Sequence, residues 1–206
     1  ISMTDIQILK SLEITLNKNS KNYFSSISKK IMGVGEKSFI EEFEKANIVI
    51  KTIRVESNNS IKENISFPAF KFNEIVNEEW ENSTIKELVE NKFLFIFFKK
   101  HENSYSLEKV TFHNLNNNDL DEFERVFSKT KEIISSGNII KNISSKVYNN
   151  FPKTSESYLT HIRPHARNKK DTYPLPVADK KYGYNEFTKQ CFWLNSSYVE
   201  SIYLNH

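Results

Sequence analysis

The chain has 206 residues and a formal net charge of +3 at neutral pH, with 38% hydrophobic and 27% charged residues. This length and composition are sufficient for a packed core and exclude a disordered chain. The single cysteine excludes a disulfide framework and a cysteine-rich zinc site, so we expect a reducing, cytoplasmic compartment. Four glycines without a glycine-rich motif exclude the common phosphate-binding loops. The longest apolar run, FLFIFF at 93–98, is too short to span a membrane.

The first part of the chain predicts two helices and a strand. Apolar residues recur at helical spacing between residues 4 and 32, which predicts two helices separated near Asn19–Ser20, the first capped by Thr4 or Asp5. Residues 47–55, NIVIKTIRV, alternate and are rich in β-branched side chains, so they predict a strand.

The middle of the chain predicts further helices and strands. In order, these are a helix at 73–91, a buried strand at 92–99, a strand at 105–112 and a helix at 118–136. The two strands are expected to pair as a hairpin. Gly137 is expected to end the long helix. Pro68 limits its own segment to a strand start or an edge strand.

The last part of the chain follows an irregular bridge. It predicts a strand at 158–163, a basic loop, a strand near 189–194 and a final helix capped by Asn195 or Ser196. Helices and strands mixed in this order predict an α/β fold, with a mixed sheet flanked by helices. Because neither a repeat nor a linker interrupts the pattern, we predict that residues 1–206 form a single domain.

The segment THIRPHARNKKD, residues 160–171, concentrates the positive charge. Its side chains suited to phosphate oxygens or base edges are Arg163, His165, Arg167, Asn168, Lys169 and Lys170. Residues 161–190 hold seven Lys or Arg against three Asp or Glu, a local balance of +4, so the rest of the chain sums to −1. Nucleic acid is therefore the first partner to consider, against the alternative of a solvated basic loop.

A second pattern surrounds the strand at 47–55. Metal-dependent nucleases of the PD-(D/E)xK kind place one acid before a strand, and a second acid two residues before a lysine on its face. The acids hold Mg²⁺ and the lysine helps to activate the attacking water. Here Glu42 and Lys51 are available, but Val49 occupies the position of the second acid. The pattern indicates either a nuclease-like strand with a broken active site or an ordinary strand with one exposed lysine.

Other candidate residues have simpler structural interpretations. His161 and His165 have the spacing of helical metal ligands, but Pro164 between them disfavours a helix, so we predict no metal site. Trp80 and Trp193 are expected to pack in the core or in a loop rather than to stack on bases, and Cys191 is expected to be a buried small hydrophobe.

Five segments carry a family resemblance. They are EEFEKANIVIKTIRV, FPAFKFNEIVNEEWENS, FLFIFF, HIRPHARN and FTKQCFWLNSSYV. In this order they resemble the C-terminal half of the GATC-specific type II restriction endonucleases of the Sau-three-A-I family, over nearly the whole chain. That family is related to the nicking enzyme MutH and carries two MutH-like domains, of which the N-terminal one cuts DNA. The resemblance implies a MutH-like, restriction-endonuclease-like fold with a degenerate active site.

The resemblance also implies roles for individual residues. The Arg-Pro-Lys tripeptide of MutH-like proteins, which reads the major groove, appears here as RPH at 163–165, and His165 is a poorer match to guanine than an ammonium group. The family's Phe-Tyr-Leu strand appears as FWL at 192–194, and Trp193 lacks the phenol. Lys51 would survive as a phosphate contact. The implied DNA-contacting set comprises Arg163, His165, Arg167, Asn168, Lys169, Lys170, Lys51, Lys189 and Trp193.

The resemblance implies that the domain binds duplex DNA at GATC as an allosteric effector, and that it accompanies an N-terminal catalytic domain of the same polypeptide. The domain itself is expected to hold no cofactor and to cleave nothing, whereas the parent enzyme, a site-specific deoxyribonuclease, uses Mg²⁺. One alternative is an active Mg²⁺-dependent endonuclease in which Glu36 or Glu56 replaces the missing acid. A second is a protein-interaction domain that docks on the catalytic half without touching DNA.

Overall fold

The computed structural model describes residues 3–32, 43, 45–143 and 147–205. The chain divides into two compact units. Unit 1 comprises Ile1–Glu63, Asn91–Asn114 and Val199–His206, and unit 2 comprises Asn64–Glu90 and Leu115–Tyr198. The single-domain organisation expected from the sequence stays a prediction.

The described helices and strands follow one another in a mixed order. The first are α1 (Asp5–Ser11), α2 (Tyr23–Ile31), β1 (Ile48–Val55), β2 (Ile65–Ser66), α3 (Phe72–Ile75), a 3₁₀ turn (Trp80–Asn82), α4 (Thr84–Val89), β3 (Lys92–Lys100) and β4 (Tyr105–His113). The others are α5 (Asn117–Ser135), β5 (Ile140–Ile143), β6 (Val147–Asn149), a 3₁₀ turn (Thr154–Glu156), β7 (Thr160–Pro164), β8 (Thr172–Pro174), β9 (Glu186–Thr188), β10 (Gln190–Leu194) and α6 (Ser196–Asn205).

Unit 1 contains the predicted mixed sheet, in the order β1–β3–β4. β1 runs parallel to β3, and β3 pairs antiparallel with β4 as the expected hairpin. The even-numbered residues of β3, which include Leu94 and Phe98, pack with Tyr23 and Ile27 of α2 and with Ile8 of α1. This face of the sheet is therefore covered by the two N-terminal helices, and the α/β class is confirmed.

The N-terminal helices show the predicted cap but a wider separation. Thr4 forms a capping box with Gln7, which satisfies the first free N–H groups of α1. The first helix, α1, ends at Ser11 and the second, α2, begins at Tyr23. The break between them is therefore much longer than the Asn19–Ser20 junction that we expected.

Unit 2 is built on an antiparallel sheet in the order β2–β10–β7, with α5 on one face. Phe192 of β10 is buried, and its ring lies 5.4 Å from that of Phe123 on α5. Phe67 follows the short edge strand β2, and its ring lies 5.9 Å from that of Phe123. These rings form the core on this side of the sheet, whereas Arg163 of β7 and Trp193 of β10 lie on the other side.

The predicted helix at 73–91 is wrong, because the segment breaks into α3, a 3₁₀ turn and α4. Trp80 is buried, and its ring lies 6.4 Å from Phe123 and 5.7 Å from Phe127 of α5. Ser83 then starts a new helix by accepting a hydrogen bond from the N–H of Lys86. The anchoring of the indole in the core, as expected for Trp80, and the new cap interrupt the helical pattern.

Two hairpins were absent from the sequence-based expectation, because their strands are only three or four residues long. β5 pairs with β6 inside the segment expected to be an irregular bridge, and β8 pairs with β9 after the basic loop. Buried Asp179 supports the connection between β8 and β9. Its carboxylate accepts hydrogen bonds from the N–H groups of Ile140, Lys181 and Tyr182.

The final helix begins at Ser196, but the Asn195 side chain does not cap it. Asn195 instead bonds to the carbonyl of Ser157 and to His161. The N–H of Ser196 donates to Oδ1 of Asn64 at 2.8 Å, so a residue distant in sequence takes the capping role. Within the described part of the chain, each helix is too short or too polar to cross a membrane.

Candidate nucleic-acid interface

The predicted RPH tripeptide lies at the end of β7, next to β10. In this antiparallel pair Arg163 stands opposite Cys191, and His161 stands opposite Trp193. Because opposite residues on paired strands share a face, these side chains lie on the side of the sheet away from α5. Arg163 is exposed, Trp193 is half-buried, and His161 and Cys191 are buried. This face of the sheet therefore presents an exposed cation and a half-buried indole beside two buried residues, His161 and Cys191.

The ring of Trp193 lies close to two residues of the tripeptide, Arg163 and His165. The guanidinium of Arg163 is 5.2 Å from the centre of the indole, a distance typical of a cation–π contact. The ring of His165 is 5.7 Å from it, and Trp193 Nε1–H donates to the carbonyl of Arg163 at 3.4 Å. We call these three residues the Arg–Trp–His cluster. The indole supports the two side chains.

His165 is held from two sides. Its backbone N–H donates to the carbonyl of Lys189 at 2.9 Å. On the ring, Nδ1 lies 3.1 Å from the carbonyl oxygen of Phe67 and 3.1 Å from Sγ of Cys191. Cys191 is fully buried, as the sequence predicted. The imidazole is therefore fixed in orientation although the residue is exposed.

The loop that follows β7 is braced by its own side chains. The carboxylate of Asp171 accepts from the N–H of Arg167 at 3.0 Å, and Oδ1 of Asn168 accepts from the N–H of Lys170 at 2.9 Å. This bond occupies part of the Asn168 carbonyl that bidentate pairing with adenine would require. Asn168 therefore shapes the loop in this structure.

Lys189 is the least available of the predicted contacts. Its ammonium group lies 2.5 Å from Oδ1 of Asp171 and 4.6 Å from the centre of the Tyr173 ring. The hydrogen bond from Lys189, together with the N–H of Arg167, holds the pKa of Asp171 below its ordinary value. Lys189 thus ties the loop to β9 and β10. Its ammonium group is therefore already paired with a carboxylate of this chain.

The remaining cations of the loop point outward. Arg167, Lys169 and Lys170 are all exposed. Neither Lys169 nor Lys170 forms an ion pair with any side chain in the described part of the chain. Together with Arg163 they give the loop and the adjoining strand end four exposed positive groups.

His161 lies on β7 opposite Trp193 and is 1% exposed. Its Nδ1 is 2.5 Å from Oδ1 of Asn195, whose own amide donates to the carbonyl of Ser157. That arrangement leaves Asn195 Oδ1 as the acceptor, so Nδ1 of His161 carries the proton. Burial is the main cause that lowers the pKa of His161, and the charges of Arg163 and Lys153 add to it. His161 is therefore a buried neutral imidazole.

The nuclease-like strand lies in unit 1. Val49 and Lys51 are half-buried on β1, opposite Phe93 and Phe95 of β3. Alternation places Val49 and Lys51 on one face, as the motif requires, but the valine offers only methyl groups. Glu42 and Glu36 lie outside the described residues.

Glu56, the other proposed substitute for the missing acid, lies just beyond β1. Its carboxylate is 3.4 Å from the ammonium of Lys62 and 3.5 Å from that of Lys100. In the described ranges, no three His, Cys, Asp or Glu side chains converge in a way that could hold a metal ion. The residues described around this strand therefore do not fit a two-carboxylate Mg²⁺ site.

The structure brings together most of the predicted contacts. Unit 2 contains Arg163, His165, Arg167, Asn168, Lys169, Lys170, Lys189 and Trp193, whereas Lys51 belongs to unit 1. Sequence reasoning missed the two groups that hold this surface in shape, Phe67 and Asp171. The acid could have been suspected from its place at the end of a basic run. The carbonyl of Phe67 left no signal in the sequence.

These features define an α/β protein with a cationic surface backed by tryptophan. No family model matches the chain. The type II restriction enzyme Sau3AI of Staphylococcus aureus is 29% identical to it over 222 residues, which cover 90% of this chain and 45% of that enzyme. The chain therefore spans about half the length of the curated relative it matches. The similarity supports a relation to the Sau3AI-like restriction endonucleases.

Proposed function

We propose that this chain binds duplex DNA at GATC as the effector half of a type II restriction endonuclease, and that it does not cleave DNA itself. Its binding would shift a catalytic domain of the same polypeptide toward the cutting state, which is an allosteric coupling between two sites. The Mg²⁺ requirement would belong to that catalytic domain. A MutH-like fold is part of the same proposal.

The Arg–Trp–His cluster is the observation that carries this proposal. Arg163 can donate two hydrogen bonds to a guanine edge, and Trp193 holds its guanidinium ready. The exposed cations of the adjoining loop suit phosphates. Arg163 and Trp193 lie on one strand pair, on the face away from the packing of Phe192 against Phe123, and the loop cations follow β7 directly. The similarity to a restriction enzyme supports DNA as the partner.

The non-cleaving role is supported by β1. Val49 stands where the motif places the second metal-binding acid, and the resemblance matches Trp193 to a tyrosine near the scissile phosphate. Glu56 already pairs with two lysines, so its recruitment as a metal ligand would cost both ion pairs. These three observations all argue against catalysis by this chain.

Binding of short duplexes tests the proposal. We expect the purified chain to prefer a GATC duplex over a scrambled duplex at moderate salt. We expect Arg163→Ala to weaken GATC binding by about tenfold or more, since a bidentate base contact is worth roughly 1–3 kcal/mol. Arg125→Ala is the matched control. It removes the same charge from α5, on the opposite side of the sheet.

Two results would overturn the proposal. Equal affinity for GATC and scrambled duplexes would remove site recognition. DNA affinity that is unchanged by both Arg163→Ala and His165→Ala would favour the alternative of a protein-interaction domain that docks on the catalytic half.

The alternative of an active endonuclease is tested by incubation of the chain with supercoiled GATC plasmid and Mg²⁺. We expect no nicking. Nicking that disappears in Lys51→Ala would establish catalysis at β1 and would contradict the effector role.

A further inference from the structure

We propose that His165 reads the exocyclic amino group of adenine or cytosine, as a hydrogen-bond acceptor, and does not read guanine. This inference rests on the proposed function and specifies what one residue of the cluster recognises. It follows from the hydrogen-bonding state of the imidazole, which the backbone around it fixes.

The carbonyl oxygen of Phe67 decides which ring nitrogen carries the proton. It lies 3.1 Å from Nδ1 of His165, and a carbonyl can only accept a hydrogen bond. If Nδ1 were unprotonated, two lone pairs would face each other at this distance. In the neutral ring the proton therefore resides on Nδ1, and Nε2 carries the lone pair.

Cys191 does not reverse this assignment. Its Sγ is also 3.1 Å from Nδ1, and a thiol is both a weak donor and a weak acceptor. A thiol proton pointed at Nδ1 would leave the stronger acceptor, the Phe67 carbonyl, opposite a lone pair. The Nδ1–H group can instead be shared between the carbonyl and the sulfur.

The position of the carbonyl is itself fixed by the sheet. The N–H of Phe67 donates to the carbonyl of Phe192 at 3.0 Å, which continues the pairing of β2 with β10. The backbone N–H of His165 is bound to Lys189, and its ring lies beside Trp193. The imidazole is therefore held before any ligand arrives. Its Nε2 forms no hydrogen bond with the residues that the structure describes.

This polarity selects the base groups that His165 can contact. In the major groove adenine N6 and cytosine N4 donate hydrogen bonds, whereas guanine O6 and N7 accept them. An unprotonated Nε2 matches the amino groups and opposes the guanine edge. The neighbouring Arg163 offers donors only. The two side chains therefore divide the site, with the arginine suited to guanine and the histidine to an amino group.

A lysine at this position would make the opposite kind of contact. It would carry three donors and no acceptor, so it would suit guanine. A histidine with a bare Nε2 suits an amino group instead.

The tautomer can be measured in the free chain. We expect nitrogen-15 spectra of the neutral His165 ring, assigned by loss of the signals in His165→Gln, to show a protonated Nδ1 and a bare Nε2. Protonation at Nε2 with a bare Nδ1 would overturn the inference, whatever the DNA-binding result.

Base analogues then identify the contact. The GATC duplex is compared with three others, in which purine replaces adenine, pyrimidin-2-one replaces cytosine, or 7-deazaguanine replaces guanine. The first two lack the amino group and the third lacks N7. We expect one amino-lacking duplex to lose about threefold to tenfold in affinity for the wild-type chain, which corresponds to one hydrogen bond. His165→Ala should lose nothing further on that duplex.

The altered duplexes have weaker base pairing. Because the wild type and the variants are measured on the same duplexes, this effect cancels when their affinities are compared. We expect the 7-deazaguanine penalty to be the same in the wild type and His165→Ala, and to shrink in Arg163→Ala. A 7-deazaguanine penalty that vanishes in His165→Ala would show that histidine reads guanine. Equal amino penalties in both chains would show that it reads neither amino group. Either result overturns this inference while GATC binding stands, whereas loss of GATC preference altogether overturns the proposed function.

Discussion

At the scale of single residues, Trp193 is the centre of the Arg–Trp–His cluster. Its indole lies beneath the Arg163 guanidinium. Its Nε1–H also donates to the Arg163 carbonyl. The tryptophan therefore positions the arginine both through its ring face and through the backbone.

This arrangement predicts that Trp193 acts on DNA through Arg163. A cation–π contact at an exposed site is worth about 0.5–1 kcal/mol, so Trp193→Ala should weaken GATC binding by about two- to fivefold. Trp193→Phe keeps a ring and should lose less. In the Arg163→Ala background, Trp193→Ala should have little further effect. Binding titrations of the wild type and these four variants, which include Arg163→Ala alone and the double variant, check this. Additive losses would instead indicate an independent DNA contact by the indole.

His161 predicts a pH-dependent stability. Its burial lowers the pKa of the folded imidazole below the ordinary value of 6.5. Below pH 6.5 the unfolded chain therefore binds more protons at this residue, so the free energy of unfolding falls as the pH falls. His161→Gln removes the titrating group. We expect urea unfolding to show a smaller acid-induced loss of stability in His161→Gln than in the wild type, and equal losses would contradict the assignment.

At the scale of elements, α5 organises unit 2 through both of its ends. At its start, Asn116 forms a capping box with Asp119. The Asp119 carboxylate also accepts from the hydroxyls of Tyr158 at 3.0 Å and Tyr198 at 2.8 Å. Burial, with the bond to Asp119, raises the pKa of Tyr158 to about 12. The helix start thus gathers two other parts of the unit, at Tyr158 and Tyr198, around one carboxylate.

The cap predicts a defined loss of stability. Asn116→Ala removes the side-chain acceptor for the N–H of Asp119 and should lower the free energy of unfolding by about 1 kcal/mol. Asn117→Ala, at the next exposed position, leaves the capping box intact and should change it little. Chemical denaturation of both variants checks the difference, and an equal response would indicate that the cap is not needed.

Gly137, just beyond the C-terminal end of α5, has φ +65, and a Cβ there would lie 2.8 Å from the carbonyl oxygen of Ala178. Gly183 has a similar φ of +68 with open space around it. Gly183→Ala should therefore cost about 1–2 kcal/mol from the backbone alone. Gly137→Ala should cost more, because the loop at Ala178 must move. Equal costs in urea unfolding would show that the close approach carries no penalty.

At the scale of the whole molecule, charge is distributed unevenly. The window 161–190 carries +4 of a chain whose total is +3. Part of this charge is neutralised inside the loop, since Lys189 pairs with Asp171. We propose that the exposed cations at residues 163–170 set the electrostatic contribution to DNA affinity.

Salt dependence measures that contribution. The double variant Lys169→Ala, Lys170→Ala should lower the slope of log affinity against log salt by about 1.8, because each phosphate contact contributes about 0.9. The matched control is Lys180→Ala, Lys181→Ala, which removes the same charge near the C-terminal end of α5. Fluorescence anisotropy over a salt series checks the result. A slope that changes equally in both would show only a general effect of charge.

Much of the fold could be predicted because its patterns are strong. The alternation in β1, the apolar run in β3 and the helical stripe of α5 each describe a surface that must be buried. The segment at 73–91 was misjudged because the packing of Trp80 against α5 outweighs local helical preference. The hairpin β8–β9 was missed because its three-residue strands are too short to show alternation.

The sequence by itself determined the class of fold, the concentration of cations after β7 and the absence of a carboxylate at Val49, because composition and local order are properties of the chain. Only the tertiary structure decided what those residues present to a ligand. The indole under Arg163 and the carbonyl that fixes His165 come from segments far apart in the chain. Strand register, set by burial of Phe192 on the opposite face, brings them within reach of one another.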